Sequence, residues 1–128
     1  MIVNIREREG ITIHDIEGKI IGPDSFKLKE VIDERIKSQP EGGARILLNL
    51  EKVPAMDSSG LGAIIAMHTS VQRKNGRIAL LNAGKGIRSI IVMAKLMNMF
   101  DRYDNEDEAI TALKGNKNVN KLRYAAMG

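Results

Sequence analysis

The chain has no cysteine and no tryptophan, and only 3% of its 128 residues are aromatic. The absence of cysteine excludes disulfide scaffolds and thiolate-bound metal sites. With so few aromatic side chains, the core has to be built from Ile, Leu, Val, Met and Ala. The hydrophobic content of 43% supplies these residues in the amount typical of one globular domain.

The sequence also lacks an apolar run long enough to span a bilayer, and strand-like residues begin at Ile2, where a signal peptide would stand. We therefore expect a cytoplasmic protein without a membrane span. Residues 1–114 also lack a large excess of positive or negative charge. The net charge of the whole chain is +4, and it falls to +1 when the three bases of the last 14 residues are left out. The nearly neutral remainder predicts no direct nucleic-acid surface.

The periodicity of apolar residues predicts alternating strands and helices. Alternation over 2–5 and 11–16, with Glu9-Gly10 between, is typical of a β-hairpin. Repeated strand–helix units follow, and they need right-handed crossovers and a mainly parallel sheet, so the predicted class is α/β with a mixed sheet. The later predicted elements are a short extended piece at 19–21, strands at 45–50, 77–81 and 100–103, and helices from Asp24, from Ser59, from Ile87 to Met97 and after the cap Asn105.

We divide the chain into one domain, residues 1–114, and a C-terminal tail, residues 115–128. The tail contains three asparagines and three bases but no periodic apolar spacing. This composition predicts a basic, disordered segment that the domain does not need for folding.

The segment Asp57-Ser58-Ser59-Gly60-Leu61-Gly62 lies where a predicted strand hands over to a predicted helix. Ser and Asp are strong N-cap residues, because their side-chain oxygens accept hydrogen bonds from the free amides of the first helical turn. Those amides and the helix dipole also favour negative charge. A serine hydroxyl here is therefore a cap, a nucleophile or a phosphate acceptor, and capping is the commonest of the three.

Catalytic patterns are missing around these serines. A nucleophile elbow needs Gly-x-Ser-x-Gly, and the sequence from Met56 does not provide it. The two histidines, His14 and His68, fall on a strand and about three helical turns beyond Ser58, so neither can act as its base. We predict that the chain is not an enzyme.

Cofactor and metal patterns are missing too. The loop Gly84-Lys85-Gly86 lacks the remainder of a phosphate-binding loop and is interpreted as the entry to a helix. The acidic residues between Asp101 and Glu108 lack the spacing of a calcium loop, and those after Asn105 suit the positive end of a helix. We therefore predict no cofactor and no metal.

Three segments together resemble the anti-sigma-factor antagonist family, the STAS domain: 46–50, 56–62 and 76–81. The resemblance covers residues 2–114 and is most specific at Asp57-Ser58-Ser59-Gly60-Leu61-Gly62. It implies a single STAS-like domain with a four- to five-stranded mixed sheet and helices mainly on one side. It also implies partner switching in the regulation of transcription.

Members of that family bind an anti-sigma factor, which is itself a serine kinase, and thereby free a sigma factor. The kinase phosphorylates a serine at the start of the second helix, and a serine phosphatase restores it. By position, the resemblance implies that Ser58 is the acceptor, with Ser59 as the alternative. The implied partner-binding residues are Asp57, Ser58, Ser59, Gly60 and Gly22, on a protein that is a monomer or weak dimer.

Two other functions stay open. Antagonists of this family often carry an acid in the loop after the second strand, whereas here the nearest acid is Asp24. A scaffold or sensory-complex STAS protein is therefore the first alternative. A nucleotide-binding module is the second.

Overall fold

The computed structural model describes residues 1–39 and 43–115 and contains a five-stranded sheet. The strands lie side by side in chain order, the first pair antiparallel and every later pair parallel. The predicted mixed α/β architecture is confirmed. The piece predicted at 19–21 contributes one parallel bridge, from Ile20 to Met56. The strands are β1 (Ile2–Arg8), β2 (Ile11–Glu17), β3 (Arg45–Lys52), β4 (Arg77–Leu81) and β5 (Asp101–Tyr103).

Four helices connect or follow the strands: α1 (Pro23–Ser38), α2 (Ser58–Arg73), α3 (Lys85–Met93) and α4 (Glu106–Lys114). The sequence placed the end of α3 at Met97, and this was wrong. Lys95 has a φ of 59°, a left-handed conformation that is typical of residues just beyond a helix end. Asn105 caps α4 as predicted, since its side chain accepts a hydrogen bond from the Glu108 amide at 3.1 Å.

The sheet has a hydrophobic core on each face. The larger core packs Ile46 and Leu48 of β3 against α1, α2 and α3, and the smaller packs Leu47 against α4. Because β3 is covered on both faces, its apolar residues form a continuous run rather than an alternating one. Three helices on one face and one on the other agree with the arrangement expected from the sequence.

Ion pairs join the edge strand β1 to α4. Arg6 hydrogen bonds to Asp15 at 2.7 Å and to Glu106, while Arg8 binds Glu106 at 2.8 Å and Asp107 at 2.5 Å. The hydrogen bond from Arg6 is the main reason why the pKa of Glu106 lies below its ordinary value. Glu106 and Asp107 are thus paired with arginines. Within the described residues, no group of three or more acids and histidines is arranged to hold a metal ion.

The topology gathers three helix starts at one edge of the sheet. β2, β3 and β4 are parallel, so they end at the same edge, and α1, α2 and α3 begin there side by side. No helix within the described residues is long and apolar enough to cross a membrane. The predicted tail lies outside the described residues, apart from Gly115.

Candidate functional site

Asp57 caps α2, and neither serine does. Its Oδ1 accepts a hydrogen bond from the Gly60 amide at 2.9 Å, and its φ of −99° is that of an extended N-cap residue. The Asp57 carbonyl accepts the first hydrogen bond of the helix, from the Leu61 amide at 3.0 Å. Ser58 and Ser59 become the first two residues of α2 and have no capping role.

The same carboxylate also holds the loop before α1. Its Oδ2 accepts a hydrogen bond from the Gly22 amide at 3.2 Å, and the Asp57 amide donates to the Ile20 carbonyl at 3.4 Å. Gly22 is the N-cap of α1 and has a φ of 50°, a conformation that favours glycine. Asp57 therefore fixes the starts of α1 and α2 relative to each other.

The hydrogen bonds to Asp57 also determine its charge. The Gly60 amide has the largest effect and holds the pKa of Asp57 below its ordinary value, with a smaller contribution from Gly22. Amide donors stabilise the charged form of a carboxylate. Asp57 is therefore ionised at neutral pH, and its lowered pKa makes it a poor general base for a neighbouring hydroxyl.

Gly60 lets the loop at Ile20 pack closely against the first turn of α2. A Cβ atom on this residue would lie 2.5 Å from the Ile20 carbonyl oxygen and 2.9 Å from the Met56 Cβ, closer than real Cβ atoms approach. Gly60 is accordingly buried, whereas Gly62 is exposed and has open space around its Cα. The sequence placed Gly60 among the partner-binding residues, and in the structure its missing side chain leaves room for the Ile20 carbonyl.

Ser58 and Ser59 are exposed at the start of α2. Within residues 1–39 and 43–115, neither hydroxyl takes part in a hydrogen bond. A helix start attracts anions through its free amides and dipole. Chemically, the arrangement offers two accessible hydroxyl groups at a position that tolerates an added negative charge.

Neither of the two histidines can act as a general base for these hydroxyls. His14 is fully buried in β2. His68 follows Ser58 by ten residues along α2, about 15 Å at 1.5 Å per residue, and its ring meets the edge of Phe100 with centroids 5.5 Å apart. Neither histidine is therefore placed to activate Ser58 or Ser59.

The loop Gly84-Lys85-Gly86 enters α3, as the sequence predicted. Gly84 is the N-cap, no side chain caps the helix, and Gly86 approaches the Pro54 carbonyl so closely that a Cβ would lie 3.0 Å from it. This contact places the start of α3 beside the segment that leads into Asp57.

Sequence reasoning missed two apolar side chains beside Gly22. Ile21 is 43% exposed and Phe26 is 68% exposed. Their positions, before the N-cap and in the fourth place of α1, are those of a hydrophobic staple, and this spacing was the available signal.

These features define a class of protein: a small mixed α/β domain that presents unpaired serine hydroxyls at a rigid helix start. The family model described as the STAS domain matches residues 3–109, and the chain belongs to that family.

Individual relatives support this assignment. The anti-sigma F factor antagonist of Paenibacillus polymyxa is 28% identical over 112 residues, which is 88% of this chain and 94% of that protein. A candidate anti-sigma factor antagonist of Thermotoga maritima has a TM-score of 0.80 at 20% identity, over 88% of this chain and 95% of that one. The Bacillus cell fate determinant SpoIIAA in its phosphorylated form has a TM-score of 0.66 at 22% identity, over 87% of this chain and 98% of that one.

Proposed function

We propose that this chain is a non-enzymatic anti-sigma-factor antagonist of the cytoplasm. It binds an anti-sigma factor that is also a serine kinase, through the surface around Asp57 and Ser58. Phosphorylation of Ser58, or alternatively Ser59, ends binding, and a serine phosphatase restores it. The observation that carries this proposal is the pair of free, exposed hydroxyls at the start of α2, left unengaged because Asp57 supplies the cap.

The comparisons support the proposal in two ways. The Paenibacillus polymyxa relative is named as an anti-sigma F factor antagonist and aligns along nearly its whole length. SpoIIAA, which shares the fold, has a phosphorylated form. A domain of this shape is therefore compatible with a bound phosphate, and the start of α2 is the position where the charge is best accommodated.

The added charge explains the loss of binding. A phosphate carries about −1.5 to −2 charges at neutral pH. It would lie next to the ionised Asp57, so the surface that meets the partner becomes strongly negative. Desolvation and repulsion at a closely packed interface then remove a contact of micromolar or tighter affinity.

The first experiment identifies the partner and the modified residue. Capture from the source cell with the tagged chain, followed by mass spectrometry, should recover a serine kinase of the anti-sigma type. Incubation of the chain with that purified kinase and ATP should add one phosphate to Ser58. Phosphate on Ser59 alone would move the acceptor by one residue.

The second experiment measures binding of the purified kinase by calorimetry. Ser58→Ala should bind the kinase as wild type does, and it should stay bound when ATP is added because it cannot be phosphorylated at position 58. Ser58→Asp should bind poorly. Ser59→Ala separates the two candidate acceptors, because a variant that keeps Ser58 should still lose the kinase when ATP is added if Ser58 is the modified residue. If Ser58→Asp bound as tightly as wild type, the switch would be refuted and a scaffold role would be favoured.

A further inference from the structure

The first turns of α1 carry an exposed apolar pair, Ile21 and Phe26, which we call the Ile21–Phe26 patch. Phe26 is one of only two phenylalanines in the chain, and 68% of its surface is exposed. The other, Phe100, is 6% exposed and belongs to the core. The proposed function so far gives no role to Ile21 or Phe26.

The helix geometry places Phe26 on the flank of α1 that lies towards α2. Arg35 lies on the flank of α1 that faces the sheet edge, since its Nε donates to Thr12 Oγ1 at 2.8 Å and its guanidinium pairs with Glu7. Phe26 precedes Arg35 by nine residues, which at 3.6 residues per turn is two and a half turns, so it lies on the opposite flank. That flank faces α2, the helix against which α1 packs.

A hydrogen bond joins the start of α1 to the start of α2. α1 and α2 follow parallel strands and begin at the same sheet edge. The Gly22 amide, immediately before α1, donates to the Asp57 carboxylate, immediately before α2. The Ile21–Phe26 patch and the serines of α2 therefore lie at the same end of two adjacent helices.

A local structural role does not account for the patch. A hydrophobic staple between Ile21 and Phe26 would shield the two side chains from water. Instead they remain 43% and 68% exposed. Aromatic residues, phenylalanine among them, are enriched in protein–protein interfaces relative to the rest of the protein surface.

We propose that Phe26, with Ile21 beside it, is the apolar anchor of the interface with the anti-sigma factor. This inference rests on the proposed function and adds the chemistry of the partner: an apolar pocket that accepts Phe26, with a rim that meets Ser58. A second copy of this chain is the other occupant that the patch could take, and self-association of the wild-type chain that Phe26→Ala abolishes would refute the anchor.

The test uses the purified kinase that binds the wild-type chain, with affinities measured by calorimetry. Phe26→Ala should weaken binding by about 30-fold or more, the loss typical of an interface hot spot. Ile21→Ala should have a smaller effect of the same sign. The melting temperature should hardly change, because both side chains are largely exposed. Met93→Ala is the matched control, since Met93 is 82% exposed at the far end of α3 and should bind within about threefold of wild type.

Ser58→Asp distinguishes failure of the anchor from failure of the proposed function. If Phe26→Ala binds like wild type while Ser58→Asp does not bind, the anchor is refuted and the switch stands. If both bind like wild type, or if no serine kinase binds the wild-type chain, the proposed function fails and the anchor fails with it. An equal loss in Met93→Ala would also refute the anchor, because the effect would not be specific to this surface.

Discussion

Replacement of His14 by leucine should stabilise the domain and reduce its sensitivity to mild acid. His14 lies on β2 between Ile5 of β1 and Leu48 of β3, and it is fully buried. Neither ring nitrogen has a hydrogen-bond partner among the residues that the structure describes. A buried polar group without a partner costs about 1–3 kcal/mol, and leucine fills a similar volume without that cost. At pH 8 the free energy of unfolding should therefore rise by about 1 kcal/mol or more.

The pH dependence follows from the pKa. Burial is the main cause that lowers the pKa of His14 from 6.5 to about 4, and the positive charge of Arg35 adds to it, while Asp15 opposes it. Because the folded pKa lies below the unfolded one, protons bind the unfolded chain more tightly. The stability that neutral, buried His14 contributes is therefore fully present above pH 6.5, and it is lost as the pH falls from 6.5 towards 4. At about 1.36 kcal/mol per pKa unit, the loss is about 2 kcal/mol at pH 5 and about 3 at pH 4.

Urea unfolding followed by circular dichroism at pH 8, 6 and 5 tests this reasoning. Wild type should lose about 2 kcal/mol between pH 8 and 5, and His14→Leu should lose much less. Asp57 and Glu106 also have lowered pKa values, but they affect stability only as the pH falls below their ordinary pKa values of 3.8 and 4.5, which lie outside the range from pH 8 to 5. His68→Gln is the control. A slope that persisted in His14→Leu and vanished in His68→Gln would assign the titration to the other histidine and refute the argument.

Three further predictions concern the site and the tail. Gly60→Ala should lower the free energy of unfolding by about 2–3 kcal/mol, because its Cβ collides with backbone of the Ile20 loop. Gly62→Ala, in open space on the same helix, should instead raise it by up to about 1 kcal/mol, and equal effects in urea titrations would contradict the steric account. Asp57→Ala should weaken partner binding more than folding, as calorimetry and thermal unfolding can compare. Truncation after Lys114 should leave the melting temperature nearly unchanged, and a large drop would show that the tail packs on the domain.

Local patterns predicted most of the fold. Alternation identified the hairpin, and helical spacing with end signals such as Asn105 identified the helices. The end of α3 was wrong because Met97 continues the apolar spacing, although Lys95 has already left the helical conformation. Periodicity reports which side chains favour burial, and it does not report where the backbone turns.

The candidate site was predictable in position but not in geometry. Asp57, Ser58 and Ser59 are all strong N-cap residue types, and a shift of one residue in the helix start decides which of them is the cap. The hydrogen bond from Gly22 to Asp57 joins residues 35 apart in the chain. The steric need for glycine at position 60 likewise comes from Ile20, which is distant in sequence. Such contacts depend on how the helices pack, and a single sequence does not report them.

In the proposed switch, the division of roles at the start of α2 would let one phosphate control binding without unfolding the domain. Two unit charges 4 Å apart interact by about 1 kcal/mol in water and by about 4 kcal/mol at an effective dielectric constant of 20. On the free protein, a phosphate on exposed Ser58 repels Asp57 only through solvent, and the helix start offsets part of that repulsion. The remainder is small beside a typical domain stability of about 5–15 kcal/mol.

Against a closely packed partner the same charge is desolvated, and the several kcal/mol lost there amount to about a thousandfold in affinity. Had a serine been the cap, its phosphate oxygens would have replaced the hydroxyl as acceptors for the helix amides, and the modification would have changed helix stability together with binding. Because Asp57 caps the helix, the serine hydroxyl can change its charge while the fold that presents it stays in place.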